Sequence, residues 1–234
     1  MKVFLDAGHN YSGADTGAEG NGLREQDITY YVTSKAAEKL RALGLEVRES
    51  RSALTANLGS GTVSSSLEER VRQANLWGAD VFISVHCNSF SSSSAKGTEV
   101  YIYNNTSPAK ALAEYVLSDV CALCGTVNRG VKERQNLYVL KNTSMPAILA
   151  ELAFISNASD AEKLRFLQDE FATGIANGTA KYLGISVDAP KVILNKEESE
   201  AVLRTILEER TINFLNDYRF GDDLIVKLGN AIVN

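Results

Sequence analysis

Asp80-Val81-Phe82-Ile83-Ser84-Val85-His86-Cys87-Asn88 is an apolar run that turns polar at its far end. A run this short, rich in β-branched and aromatic residues, reads as a strand buried in a sheet. Val3-Phe4-Leu5-Asp6-Ala7-Gly8-His9 repeats the plan near the start: apolar residues, then glycine and histidine. Between the two lies a helix from about Glu25 to Leu43, with Ile28, Tyr31, Val32, Ala36, Leu40 and Leu43 on one face. Gly44 ends it as a C-cap glycine does, and Leu45-Glu46-Val47 follows as a second strand. Strands alternating with helices give an α/β fold: three layers, with a mostly parallel, twisted sheet flanked by helices.

Further along, Ser52–Ser65 reads as a loop, and Ser66 with Glu69 has the spacing of a capping box opening a helix to about Trp77. Ser89–Lys96 is a second polar loop, and Thr98–Tyr103 alternates as a strand does. Ser107-Pro108 opens a helix carrying Ala111, Leu112, Tyr115, Val116, Val120 and Leu123. Leu137–Leu140 and Ala147–Leu152 read as two further short strands. Ser159 and Glu162 cap one long helix that runs towards Tyr182 and stops near Gly184.

This pattern ends near Ser186, so residues 1–186 form one domain and residues 187–234 a linker with a small helical appendage. Val187–Leu194 contains Pro190 and reads as the linker. Asn195 and Glu198 cap a helix carrying Val202, Leu203, Ile206, Leu207, Phe214 and Leu215, and Leu224, Ile225, Leu228 and Ile232 suggest a shorter one. So small a tail is expected to lack a core of its own. It has two readings: packing within the chain, or pairing with a second copy as a homodimer.

The 234 residues carry a net charge of −5, which argues against a general nucleic-acid binder. No apolar run reaches the length of a membrane span. Met1-Lys2-Val3-Phe4-Leu5-Asp6 reads as a core strand, without the features of a signal peptide. Cys87, Cys121 and Cys124 make an odd count, and the Cys121/Cys124 pair lies within a helical pattern. Buried, reduced helix cysteines are the expectation, with no thiolate metal site.

The chain has two histidines, His9 and His86, each where a strand gives out. Ligand sites in open α/β sheets sit at the carboxyl ends of strands. Glu25, first in its helix, can point back at those ends, and two imidazoles with one carboxylate suit zinc. Glu151 ends the apolar run Ala147–Ala150, where a buried carboxylate needs a partner. Each has a plainer reading. A histidine at a strand end is often structural, Glu25 complements a helix dipole, and Glu151 pairs with Arg129. Asn88 either orients ligands and substrate or caps its strand.

Taken in order, Val3–His9, Gly22-Leu23-Arg24-Glu25, Ser84-Val85-His86-Cys87-Asn88, Gly97-Thr98-Glu99-Val100, and Pro146–Glu151 with Phe154-Ile155-Ser156-Asn157 resemble the zinc-dependent type-3 N-acetylmuramoyl-L-alanine amidases. Arg129-Gly130-Val131-Lys132 and Leu137-Tyr138-Val139-Leu140 resemble family segments beside the site. The likeness covers roughly Lys2–Leu183. It implies Zn2+ held by His9, Glu25 and His86, Glu151 as the catalytic carboxylate, and hydrolysis of the amide joining N-acetylmuramic acid to L-alanine in bacterial peptidoglycan. With no leader in view, the biological reading is a phage lysin (endolysin), held in the host cytoplasm and released to the wall through a permeabilised membrane. The alternatives are a bacterial wall-remodelling or spore amidase at the cell wall or outside the cell, a zinc peptidase, and a non-catalytic wall-binding module. The Ser52–Ser65 and Ser89–Lys96 loops are the expected walls of the substrate groove.

Overall fold

In the computed structural model the run ending in His86 lies near the middle of a six-stranded sheet. The structure describes residues 1–187, 195–205, 207, 209–217, 225–229 and 232. The chain begins with β1 (Lys2–Ala7), the short hairpin β2 (Glu19–Gly20) and β3 (Leu23–Arg24), α1 (Glu25–Ala42) and β4 (Glu46–Glu49). Next come α2 (Val63–Trp77), β5 (Val81–Asn88), β6 (Thr98–Ile102), α3 (Ala109–Cys124) and β7 (Asn128–Glu133). Then follow α4 (Tyr138–Asn142), β8 (Ala147–Phe154), α5 (Ala158–Phe166) and α6 (Gln168–Tyr182). The sheet order is β4-β1-β5-β8-β6-β7, parallel throughout except where β6 meets β8.

Side chains alternate across the sheet, and each face has its own helices. Val3, Leu5, Ile83, Val85, Ile148 and Leu152 pack among Val32, Leu40, Val116 and Phe171 from α1, α3 and α6. On the opposite face, Phe4, Phe82, Tyr101 and Leu149 meet Val71 and Ala74 of α2 and Val139 and Leu140 of α4. α4 has only 5 residues, so the second face is covered incompletely, and that shortfall leaves room for a cleft.

Several expectations need correction. Leu137–Leu140 is not a strand: Tyr138–Asn142 forms α4. A short apolar run does not distinguish strand from helix, and here the helical turn buries Val139 and Leu140 against the sheet. The polar segment Asn128–Glu133 is a strand without an apolar signature, because it is the sheet edge. α2 starts earlier than Ser66, with Thr62 and Ser65 forming the capping box. The long helix after Ser159 is two helices broken at Leu167, and its N-cap is Asn157, whose side chain accepts from the Asp160 N–H. Tyr31, expected on the buried face of α1, is exposed, while Thr29 and Thr33 are buried. Cys121 is half-buried, whereas Cys87 and Cys124 are buried; all are free thiols.

Contacts divide the chain into two units, Met1–Val187 and Asp188–Asn234. In the second, α7 (Lys196–Leu203) opens with the reciprocal Asn195/Glu198 capping box. The expected continuous helix stops at Leu203 and resumes as α8 (Glu209–Asp217). Leu203, Ile212, Leu215 and Ile225 form a small core of this unit's own, with Leu207 against it. That differs from the expectation of no core, because a chain break lets the helices fold on each other. The expected linker residues 188–194, Ile206, the side chain of Phe214 and Leu224 lie outside the described residues. Among the described residues no helix is long and apolar enough to cross a membrane.

Candidate active site

His9 lies just past β1, Glu25 is the first residue of α1, and His86 sits in the last part of β5. The register Ala7↔Val85 keeps the two strand ends level, so both imidazoles emerge at one height. One ligand atom from each of the three residues falls within 4.8 Å of the others. Glu25 Oε1 is the hub: it lies 3.2 Å from His9 Nε2 and 3.0 Å from His86 Nδ1. The carboxylate is held from behind by the Cys87 N–H at 2.9 Å and the Ala18 N–H at 2.8 Å. Burial works against the Glu25 charge, but His86 and His9 outweigh it and hold the carboxyl well below the usual range. Burial likewise opposes charge on His9, yet Asp15 and Glu25 raise it to about 9.

Two imidazoles and a carboxylate are the donor set of a catalytic zinc centre with an open position. Two glycines keep the donors close. A Cβ on Gly8 would meet His86 Nε2 at 2.6 Å, and one on Gly17 would meet Glu25 Oε2 at 2.7 Å. The residues present therefore fit such an ion.

A second tier of residues fixes His9. Its φ of 66° is left-handed, an unusual setting for a histidine. Asp15 Oδ1 lies 3.2 Å from His9 Nδ1, and Asp15 Oδ2 accepts from Ser66 at 2.6 Å. Arg70 of α2, fully buried, donates to the carbonyls of Ala7 at 2.6 Å and His9 at 2.7 Å, and to Asp6 Oδ1 at 2.6 Å. Despite its burial Asp6 stays below the ordinary carboxyl range, through Arg70, Ser84 and Ser50.

Glu151 is not at a strand end, since β8 continues to Phe154; it stands opposite His86 on one side and Glu99 on the other. Its Oε2 is buried with no hydrogen-bond partner. Burial, reinforced by the charges of Glu25 and Glu99, lifts its pKa to about 8. Arg129 does not pair with it. The Arg129 Nε donates instead to Glu99 Oε2 at 2.7 Å, joined there by Lys132. The Asn88 side-chain amide donates to Glu99 at 2.9 Å. Burial opposes the Glu99 charge, but Lys132, Tyr101 and Arg129 bring its pKa down to about 2. Two neighbouring carboxylates are thus driven apart, one ionised and one poised to exchange a proton, which is how environments assign acid–base roles.

His9, His86 and Asp15 border a cavity of about 230 Å³, walled further by Leu67, Leu137, Tyr138 and Leu149. Neither polar loop expected to form the groove lines it; the wall comes from α2 and the approach to α4. A larger groove of about 840 Å³ lies beside Trp77 and Arg41 and holds none of the candidate catalytic groups. Sequence reasoning missed Asp15, Arg70 and Glu99. Glu99 had one signal, a charged residue alternating inward in a strand, whereas Asp15 and Arg70 had none.

Comparison with known proteins places this geometry. The family model described as N-acetylmuramoyl-L-alanine amidase matches residues 3–181. The amidase LytC of Bacillus subtilis (strain 168) is 40% identical over 185 residues, which span 77% of this chain but only 35% of LytC. The endolysin of Bacillus phage SPP1 is 34% identical over 233 residues, 94% of this chain and 81% of the endolysin. The crystal structure of an N-acetylmuramoyl-L-alanine amidase from Clostridium difficile 630 superposes with a TM-score of 0.71 at 33% identity, covering 79% of this chain and 97% of that one.

Proposed function

The chain belongs to the N-acetylmuramoyl-L-alanine amidase family, and from that premise we propose that it hydrolyses the muramoyl–L-alanine amide of peptidoglycan with zinc held by His9, Glu25 and His86. The family is generally zinc-dependent. The observation that carries the reading for this chain is the unpartnered Glu151 Oε2 beside that ligand triad. Bound there, zinc supplies Lewis acidity, acidifying the attacking water and polarising the scissile carbonyl.

The protein's own groups do the rest. The N–H groups of Cys87 and Ala18 hold the Glu25 carboxylate as a ligand, and Asp15 holds His9 from its far nitrogen, as outer carboxylates do around ligating histidines. Glu151 takes the water's proton and passes it to the departing alanine nitrogen. Glu99 cannot share that role, because Arg129 and Lys132 engage its Oε2 and Asn88 and Tyr101 donate to its Oε1. The test is Glu151→Gln: zinc content should match the parent protein while release of alanine N-termini from peptidoglycan is lost. Full activity in that variant would remove Glu151 from catalysis.

The biological setting we infer is lysis at the end of a phage cycle. The likeness to the SPP1 endolysin covers 94% of the chain, beyond the first unit, whereas that to LytC covers 77%. The second unit is therefore a part that a lysin shares. We assign catalysis to residues 1–186 and wall targeting or self-association to residues 187–234; a solution mass equal to one chain would exclude self-association.

A further inference from the structure

Beyond the reacting centre, towards the β7 edge, the surroundings of Glu99 become cationic. Arg129, Lys132 and Arg134 converge on this side, against the single carboxylate of Glu99. Glu133 does not offset them: it pairs with Ile102, on the opposite face from Lys132, and accepts from Asn105. Arg129 and Lys132 are occupied by Glu99. Arg134 is different. Among the described residues no carboxylate pairs with it, and it is exposed.

Arg134 is nonetheless held in place. Its backbone N–H donates to the Ile102 carbonyl at 2.9 Å, which fixes it beside the end of β6. Its guanidinium stacks 4.9 Å from the centre of the Tyr101 ring. The Tyr101 hydroxyl in turn donates to Glu99, which stands directly opposite Glu151. Arg134 is also close enough for its charge to act on Glu151. A stacked arginine with free donors is pre-organised to take a carboxylate in a two-pronged grip.

We propose that Arg134 is a specificity-determining residue, binding a carboxylate carried by the stem-peptide residue that follows alanine. This rests on the amidase reading. The sugar's own carboxyl is consumed in the scissile amide, so an anion near the cut must come from the peptide side. The offset also suits that residue. Tyr101 lies one strand over from Glu151, about 4.8 Å, and two residues along. An extended dipeptide reaches about 7 Å.

The experiment compares two defined muramoyl-L-alanyl peptides, identical except that the second residue bears a free α-carboxylate or the same group as a carboxamide. Wild type, Arg134→Gln and Arg134→Lys are assayed on both, with zinc content measured in each preparation. The ratio of kcat/KM for carboxylate over carboxamide should fall about tenfold or more in Arg134→Gln, the loss of a charge-assisted bond. The fall should appear mainly in KM, with Arg134→Lys partly restoring the ratio at unchanged zinc content. An unchanged ratio in Arg134→Gln, whether activity drops on both substrates or on neither, would overturn the assignment. Wild-type protein inert on both peptides would instead overturn the amidase reading beneath it.

Discussion

His9 combines three features that explain one another: a left-handed backbone, an Asp15 contact on one ring nitrogen and a Glu25 contact on the other. Strain of this kind persists where the surroundings over-determine it, and here the Arg70 bond to the His9 carbonyl does so. The same contacts set a pH dependence. Without metal the His9 pKa stands at about 9, so at neutral pH the ring holds a proton that an incoming cation must displace. Glu25 is already ionised and contributes no such competition. Apparent zinc affinity should therefore climb with pH and level off near pH 9, with protons released on zinc uptake at pH 7, from His9 and from Glu151 as it is freed to act as a base. Calorimetry in buffers of different ionisation enthalpy reads this directly, and uptake without proton release would contradict it. His9, Glu25, His86 and Glu151 could be singled out in the sequence because each is a polar group that breaks or bounds an apolar run or opens a helix, although Glu151 lies inside β8 rather than at its end. Asp15 and Arg70 could not. One lies in a polar loop and the other in an ordinary helix, and only the tertiary fold makes them partners.

At the scale of elements, the parallel register of β1, β5 and β8 presents His9, His86 and Glu151 together. α2 ties that end of the sheet down through Arg70, whose partner Asp6 is as buried as itself. Breaking a buried pair by removing one member costs roughly 3–5 kcal/mol, because the remaining charge is stranded. Arg70→Met should lower the unfolding free energy read from a urea titration by that much, moving the midpoint down, and weaken zinc binding with it, as the β1 end loosens. A midpoint within error of the parent would contradict a structural role for the pair. The central strands were readable because burial on both faces leaves a continuous apolar run, and α1 because its apolar residues recur at helical spacing on one face. The edge strand β7 and the helix α4 were not. An edge can be polar, and the five residues of α4 satisfy either backbone geometry until the sheet beneath them selects one.

At the scale of the whole molecule, the chain divides into two units, each with a hydrophobic core of its own. On the proposed lysin reading, the full chain expressed inside a susceptible bacterium should be harmless until the membrane is permeabilised, and then lyse it. Lysis without permeabilisation would point to export and to a wall-remodelling role. The strand–helix alternation of the sequence ends near Ser186; the tail's small core was not legible, because an apolar helix face does not say what will cover it. The most direct test of the central claim is a zinc titration of metal-stripped protein acting on defined peptidoglycan, with the products identified. The account predicts no release without metal, activity rising to a plateau at one zinc per chain, and free N-terminal alanine on otherwise intact stems. Metal-independent release, or stems shortened with the muramoyl–alanine bond intact, would contradict it.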